Sequence, residues 1–585
     1  MKVSRPPFAT VLGLAMLWLP VRSALTQTPA PLSSPPPFEE KEPPASDQYA
    51  LGPDSLPQPG VPAGKTFQFE MGHSKIFPDT VRKITVYIPA AYKGDKPACV
   101  YVGLDGLGFH APVVFDNLIA GGVMPVTVGI GLSPGTVPSA RAPENPRFDR
   151  SFEFDSRTDR LARFLLEEVI PEVERHSTPN GLPILLSNEG KDRAIGGAST
   201  GAIGAFTVAW ERPDAFTRVF SAIGTYVGMR GGESYYVLVR KTEPKPLRIF
   251  MQDGVHDEWM SGPEMGDWWM SNQTMERALT FAAYDLRHVW GVGTHSDHQA
   301  AAVFPDAMRW LWRDWPNPVK AGVSSNPVLQ AILQPGEEWQ RAGENCPAVA
   351  SMAANAQGEV FLGNGTQISS SCGPAKGGAI FAFGPDGALV HGSNIKLGKG
   401  LTIRDFTVRH NGDTYATAEN SSGAGELWLV RANGEKQRLD TGLTGPSGLA
   451  FSPDGLWLLV MQSRSRWGLS YRVRSGGTLD AREPFFDLAV PAWANDSGAG
   501  SVAMDRDGRA YVATRLGVQV LDRNGRVTAI LPLPSHQPVT RVCFGDRDFT
   551  MLYAASGNKI YKRKLRITGA PPWAAPIKLP PWGAG

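Results

Sequence analysis

A chain of 585 residues is too long for a single hydrophobic core, so at roughly 100–200 residues per domain it must hold at least two folded units. Its 42% hydrophobic and 19% charged residues and its net charge of +2 are those of ordinary globular protein, which argues against a disordered chain or a nucleic-acid binder. The partner left by these numbers is a neutral or small molecule.

The chain opens with Lys2 and Arg5, an apolar stretch from Phe8 to Leu19, and small residues at Ser23 and Ala24, the pattern of a signal peptide over residues 1–24. The run is short for a bilayer span; an uncleaved anchor is the alternative. No cysteine follows the run, which argues against a lipid anchor. A secreted or periplasmic protein is therefore expected, with no stable membrane insertion after cleavage. Export permits disulfides, and of the four cysteines only Cys346 and Cys372 are close enough in sequence to suggest a local bridge, leaving Cys99 and Cys543 as buried thiols. Residues 25–48, rich in Pro, Ser and Thr, read as an extended linker.

Over residues 49–316 short β-rich runs alternate with helical patterns. The runs are Ile84 to Ile88, Cys99 to Leu104, Val126 to Ile130, Arg193 to Gly197, Arg218 to Ile223, Leu247 to Met251 and Leu286 to Trp290. Such alternation predicts a mostly parallel sheet between helical layers. One helix is plain, with Leu161, Phe164, Leu165 and Val169 on one face and Glu167 and Glu168 elsewhere.

Two Gly-x-Ser-x-Gly pentapeptides follow strands, Gly131 to Gly135 around Ser133 and Gly197 to Gly201 around Ser199. A chain with 64 glycines produces such matches by chance. Backbone chemistry separates them. The residue after a nucleophilic serine must lend its N–H to the oxyanion, and Pro134 has none, whereas Thr200 does. Small residues flank Ser199, and Ala202 to Trp210 can continue as a helix. Ser199 is the expected nucleophile and Ser133 a turn serine.

A serine hydroxyl needs a base to take its proton and an acid to orient that base. The order serine, acid, histidine points to the two loops that follow later strands. After Leu247 to Met251 come Asp253, His256 and Asp257; after Leu286 to Trp290 come His295, Asp297 and His298. Asp257 is favoured over Asp253, which stands where it would cap a turn, and His295 over His298, because the first histidine after the strand lies over the nucleophile. His256 reads as a surface or supporting residue. A metal site at His295, Asp297 and His298 lacks partner ligands. The oxyanion donors expected are the N–H groups of Thr200 and of Gly106, in the loop after Cys99 to Leu104.

Residues 50–314 resemble the esterase D and enterochelin-esterase family. The stretches that carry the likeness are Ser74 to Pro78, Leu104 to Gly106, Arg150 to Asp155, Ile195 to Gly201, Phe250 to Asp257, and Trp290 to His298 followed by Phe304 to Ala307. The resemblance implies an α/β-hydrolase fold of three layers and ester hydrolysis through an acyl-enzyme, with Ser199, Asp257 and His295 as triad and no cofactor. Thr294 stands where the family usually has glycine. The expected substrate is a small-molecule or glycan ester, siderophore and feruloyl esters among the open choices. Arg150, Glu153 and Asp155 either line the substrate pocket or form a structural ion-pair cluster. Trp268 and Trp269, with Trp259, either stack on a ring of the substrate or pack as a lid. An acyltransferase would use the same triad.

After a connection at 317–337 the character changes. Gly358, Gly387, Gly412, Gly434, Gly455, Gly508 and Gly525 each follow Asn, Asp or Gln beside a strand-like run, the mark of tight hairpin turns. Every second turn recurs at roughly 40 to 55 residues, the period of a propeller blade, so residues 338–567 are expected to form an all-β propeller, with a sandwich as the alternative. Gly445 to Gly455, Arg509 to Thr514 and Gly517 to Val520 resemble the SMP-30/gluconolactonase family, which implies six blades and a metal-dependent lactonase. The ligands that the resemblance calls for are replaced: Pro446-Ser447-Gly448 stands for Pro-Asn-Gly, Gly500-Ser501-Val502 for Asp-Gly-Met, and Asn345-Cys346-Pro347 for Glu-Gly-Pro. A hydroxyl is a poor substitute for the carboxylate and amide oxygens a hard cation takes. No metal is expected, although Asn495 or Asp496 would restore part of a site, and the propeller is expected to serve binding or packing. Residues 568–585, rich in proline, read as an irregular strap or a disordered tail.

Overall fold

The computed structural model describes residues 49–141, 144–257, 266–346, 349–363 and 380–581. The signal-peptide and linker stretches expected over 1–48 lie outside these residues, as do Trp259, Pro347 and Cys372. Residues from Pro43 onward form one unit.

Among the described residues the first half is built on ten strands and eight α-helices. The strands are β1 (Lys65–Met71), β2 (Arg82–Ile88), β3 (Cys99–Leu104), β4 (Thr127–Leu132), a ribbon of β5 (Thr136–Val137) with β6 (Arg147–Phe148), then β7 (Arg193–Ala198), β8 (Arg218–Ala222), β9 (Arg248–Gly254) and β10 (Asp285–Gly291). The helices are α1 (Ala111–Ala120), α2 (Arg150–Phe154), α3 (Arg160–Phe164), α4 (Ile170–Arg175), α5 (Thr200–Glu211), α6 (Ser234–Lys241), α7 (Trp268–Phe281) and α8 (His298–Trp312). Between α3 and α4 a π-helical turn, Leu165–Val169, keeps the chain helical, with Leu161, Phe164, Leu165 and Val169 buried as their spacing predicts.

Eight strands form one sheet in the order β1-β2-β4-β3-β7-β8-β9-β10. β1, β2 and β4 pair antiparallel, and every pairing from β4 to β10 is parallel. Side chains alternate between two cores, as a strand period of two requires. Val100, Val102, Ile195 and Ile249 pack with Phe164, Phe206, Val239 and Met275 of α3, α5, α6 and α7. Tyr101, Ala194, Phe220 and Phe250 pack with Phe115 of α1 and with Phe304 and Met308 of α8. The result is the expected three-layer α/β/α arrangement. All seven strands read from the sequence are present, while β1 and the ribbon were not anticipated; β1 is a half-exposed edge strand without a continuous apolar run.

The connection is ordered rather than free. Asn326 caps helix α9 (Pro327–Ile332), accepting the N–H of Val328 at 2.9 Å, and its amide donates to the carbonyls of Arg240 and Thr528. Leu329 and Ile332 are buried among Tyr511, Val518 and Leu531 of the second half. Arg563 donates twice to Glu243, at 2.6 and 2.7 Å, across the same seam.

In the second half the inner strands Met352–Ala354, Phe381–Phe383, Leu401–Val408, Pro446–Phe451, Val502–Asp505 and Val539–Gly545 touch in turn, and the last meets the first. All seven turn glycines named above have φ between 71° and 87°, where a side chain would be strained. The blade count differs from expectation: among the described residues four sheets of four or five strands are full blades, and the other two positions hold two-stranded hairpins. These hairpins are short, with three residues per strand. Gln340–Gly343 pairs with Lys559–Lys564 and so joins the start of the propeller-like region to its last sheet. The tail is not disordered over its described length. Gly569–Ala570 adds a strand to Val502–Asp505, Ile577 donates to the Pro453 carbonyl at 2.9 Å, and Arg523 donates to the Pro580 carbonyl. Cys346 is disulfide-bonded and Cys99 and Cys543 are free and buried. Among the described residues no helix is long and apolar enough to cross a membrane.

Candidate active site

β7 ends at Ala198 and α5 begins at Thr200, so the chain turns from strand to helix across Ser199 alone. Ser199 takes φ 57° and ψ −121°, a conformation a non-glycine residue holds only when its surroundings impose it. The neighbours do so. A Cβ on Gly197 would lie 2.7 Å from the Gly201 backbone, so only glycine lets strand and helix close on each other. The Ser199 N–H donates to the Ala222 carbonyl of β8 at 2.9 Å, and its carbonyl accepts from Ala202.

The sheet brings three distant residues to this point. His295 Nε2 lies 2.9 Å from Ser199 Oγ, and its Nδ1 lies 2.9 and 3.0 Å from the two oxygens of Asp257. The Asp257 side chain is fully buried and that of His295 is 20% exposed. A proton on Nδ1 is held by the carboxylate, which leaves Nε2 to accept from the serine hydroxyl. Asp257 follows β9 and His295 follows β10, adjacent parallel strands whose loops are tied together: Val255 donates to the Gly291 carbonyl and His256 to that of Gly293. A Cβ on Gly254 would fall 2.1 Å from the Gly293 oxygen, so the Asp257 and His295 loops meet only because glycine stands there. His256 and His298 are exposed and Asp253 is buried; of the two candidates in each loop, Asp257 and His295 are the pair in contact. Ser133 follows β4, donates its N–H to the Lys83 carbonyl, and is not the serine at His295.

Two residues not singled out as contributors in the sequence buttress this chain. Thr225 Oγ1 lies 3.2 Å from Ser199 Oγ and accepts the indole N–H of Trp268 at 3.2 Å. Asn272, one turn further along α7, donates to the carbonyls of Gly224 and Trp268. Both fall in segments with no motif, and no sequence signal marks them.

Thr200 is the first residue of α5, where a backbone N–H has no partner within the helix, as an oxyanion donor requires. Gly106 does not fit its expected role: its N–H is engaged by the Leu132 carbonyl at 3.2 Å. The left-handed turn at Asp105 and Gly106, φ 67° and 105°, folds the loop back onto β4 and directs the amide there.

The candidate substrate residues divide. Glu153 is withdrawn from substrate, with its carboxylate bound at 2.6 Å by both terminal nitrogens of Arg82 and both side chains at 0% exposure. Arg150 remains partly exposed beside the elbow, held by two bonds of 2.7 and 2.8 Å to Asp105, whose Oδ2 is 3.0 Å from the place of a Cβ on Gly201. Asp155 is buried and accepts from the Thr200 hydroxyl at 3.4 Å; burial raises its pKa. Trp268 is not a surface platform: it is buried, with its ring 5.1 Å from that of His295 in an edge-on contact. Trp269 is half-buried and meets Trp290 edge-on at 5.3 Å.

A cavity of about 120 Å³ among the inner strands is lined by Met352, Phe381, Asp405, Leu449 and Arg541 and by Pro571, Pro572 and Trp573 of the tail. Burial pushes the Asp405 carboxyl up to about 6. The residues present do not fit a divalent metal of the lactonase kind. Ser447 Oγ is a buried hydroxyl without a partner, Ser501 Oγ bridges the N–H and carbonyl of Val542, and Asp496 is bound by Arg515. Among the described residues no group of three His, Cys, Asp or Glu is placed to hold a metal ion.

Comparison with known proteins follows the same division. Residues 77–371, about half of the chain, match the family model described as "Putative esterase", and residues 340–558 match that of the SMP-30/Gluconolactonase/LRE-like region. No curated protein matches the chain. Among solved structures, enterobactin esterase from Shigella flexneri is 18% identical over 46% of this chain and 64% of its own, with a TM-score of 0.33. A ferulic acid esterase is 16% identical over 42% of this chain and 99% of its own, also at 0.33. A gluconolactonase from Xanthomonas campestris is 19% identical over 41% of this chain and 93% of its own, at 0.33. The chain belongs to the esterase family that the first model defines, and it is a carboxylic ester hydrolase.

Proposed function

We propose that this esterase works through an acyl-enzyme on Ser199 in an α/β-hydrolase domain, with the propeller as an accessory. The observation that carries the reading is the continuous contact from Ser199 Oγ through His295 to Asp257, at 2.9 Å for each step. His295 Nε2 takes the hydroxyl proton as Ser199 Oγ attacks the ester carbonyl, and buried Asp257 stabilises the imidazolium that forms. The Thr200 N–H, at the positive end of α5, faces the developing oxyanion. His295 then protonates the leaving alcohol, and water, deprotonated by the same ring, releases the acid. Arg150, paired with Asp105, is a charged group near the elbow with accessible surface for a small-molecule or glycan ester. Purified protein should hydrolyse short aryl esters, and Ser199→Ala should lose that activity.

A lactonase in the propeller is the second reading, favoured by the family match over 340–558 and opposed by Ser447 and Gly500 where the family has Asn and Asp. Export is proposed from residues 1–24 alone; a mature N-terminus near residue 25 on the secreted protein tests it.

A further inference from the structure

Behind the triad stands a second carboxyl the mechanism does not use. Asp253, the penultimate residue of β9, is 0% exposed. Its Oδ1 accepts the Gly254 N–H at 2.7 Å, but its Oδ2 is buried and has no donor. Two groups stand within hydrogen-bonding contact of this carboxyl, the side chains of Asp257 and Asn272. Asn272 favours the carboxylate only in small part, and Asp257 opposes it. Asn272 spends its amide hydrogens on the carbonyls of Gly224 and Trp268, and its own Oδ1 is likewise a buried acceptor without a donor. Asp257 is an acceptor engaged by His295. Asp253 thus lies buried with one oxygen that no donor satisfies, beside a second carboxylate, an arrangement that is costly unless one proton is added.

We propose that Asp253 is a neutral carboxylic acid in the working enzyme and donates its proton to Asp257, which makes it a positioning residue for the triad. The inference rests on the triad reading above. Asp257 carries the charge because His295 needs it, and two carboxyls in contact cannot both ionise. A hydrogen bond from Asp253 fixes the Asp257 carboxylate from behind, so that both of its oxygens stay at 2.9 and 3.0 Å from His295 Nδ1. Burial, then the Asp257 charge, raise the Asp253 pKa well above the ordinary range, in line with this role. Among the described residues the titratable group facing Asp253 is Asp257, with His295 beyond it; Asn272 faces it from α7 and is neutral.

The sign of the pH effect follows. As pH rises through the Asp253 pKa the residue ionises, two charges oppose each other, and the hydrogen bond is lost, so kcat falls on the alkaline side. The test uses the full chain and a short aryl ester. Asp253→Leu should lower kcat about 10²-fold with little change in KM, and Asp253→Asn, whose amide donates the same bond, should restore it to within about fivefold. In Asp253→Asn the alkaline fall should be absent, and an infrared band of a protonated carboxyl present in the wild type should be missing. An Asn variant as inactive as the Leu variant, an unchanged alkaline limb, or an unchanged infrared band would overturn the proposal. Asp257→Ala separates the two readings: full activity there sinks the triad itself, whereas an inactive Asp257→Ala beside a failed Asp253 test sinks this proposal alone.

Discussion

The indole N–H of Trp268 is spent on Thr225 Oγ1 at 3.2 Å, which leaves the Thr225 proton free to be donated to Ser199 Oγ, 3.2 Å away. An indole can only donate, so direction runs outward from Trp268 through Thr225 to Ser199, the proposed nucleophile, whose own proton points at His295. Thr225→Val keeps a branched side chain but removes the hydroxyl. We expect kcat to fall by about tenfold with KM nearly unchanged, the loss of one hydrogen bond to a group that gains charge in the reaction. Steady-state kinetics on an aryl ester decides it, and an unchanged kcat contradicts it.

Glu153 is expected to act on stability and not on substrate. Removing it leaves Arg82 buried and unpaired, which costs about 3–5 kcal/mol. Thermal denaturation of Glu153→Ala should show a strongly lowered Tm, while KM of the folded fraction stays that of the wild type. A raised KM at unchanged Tm would return Glu153 to the substrate site.

Asp405 gives the propeller a pH dependence. Its folded pKa of about 6 is above the ordinary aspartate value, so the folded state holds the proton more tightly than the unfolded chain. Stability from this group is therefore full below the unfolded pKa, near 4, and is lost as pH rises through about 6. Asp405→Asn should flatten the fall in Tm between these pH values; an equal fall in both proteins contradicts the assignment.

Esterase activity should be indifferent to chelators, because its proposed groups are Ser199, His295, Asp257 and Thr200. A lactonase activity that is lost to chelator and survives in Ser199→Ala would place separate metal chemistry in the propeller.

Much of this arrangement was legible in the chain. Parallel strands are buried on both faces and so leave apolar runs such as Cys99 to Leu104, and a strained nucleophile turn leaves glycines at 197 and 201. The loops after β9 and β10 hold Asp257 and His295, the proposed acid and base, because ligands of a parallel sheet gather at strand ends. What escaped notice were contacts made in three dimensions by ordinary residues. The Thr225 and Asn272 contacts depend on how α7 lies over the sheet, the Asp253–Asp257 contact on the turn after β9, and Arg82 reaches Glu153 across 71 positions. Gly106 failed because a motif does not say which carbonyl will claim an N–H. The two hairpin positions fell short of full blades for a related reason: turn spacing gives a period but not the length of each strand.

The most direct test is covalent. A fluorophosphonate ester probe should label the protein once, and peptide mass spectrometry should place the adduct on Ser199, with Ser133→Ala labelled normally and Ser199→Ala not at all. Labelling that persists in Ser199→Ala, or an adduct on Ser133, would contradict the account.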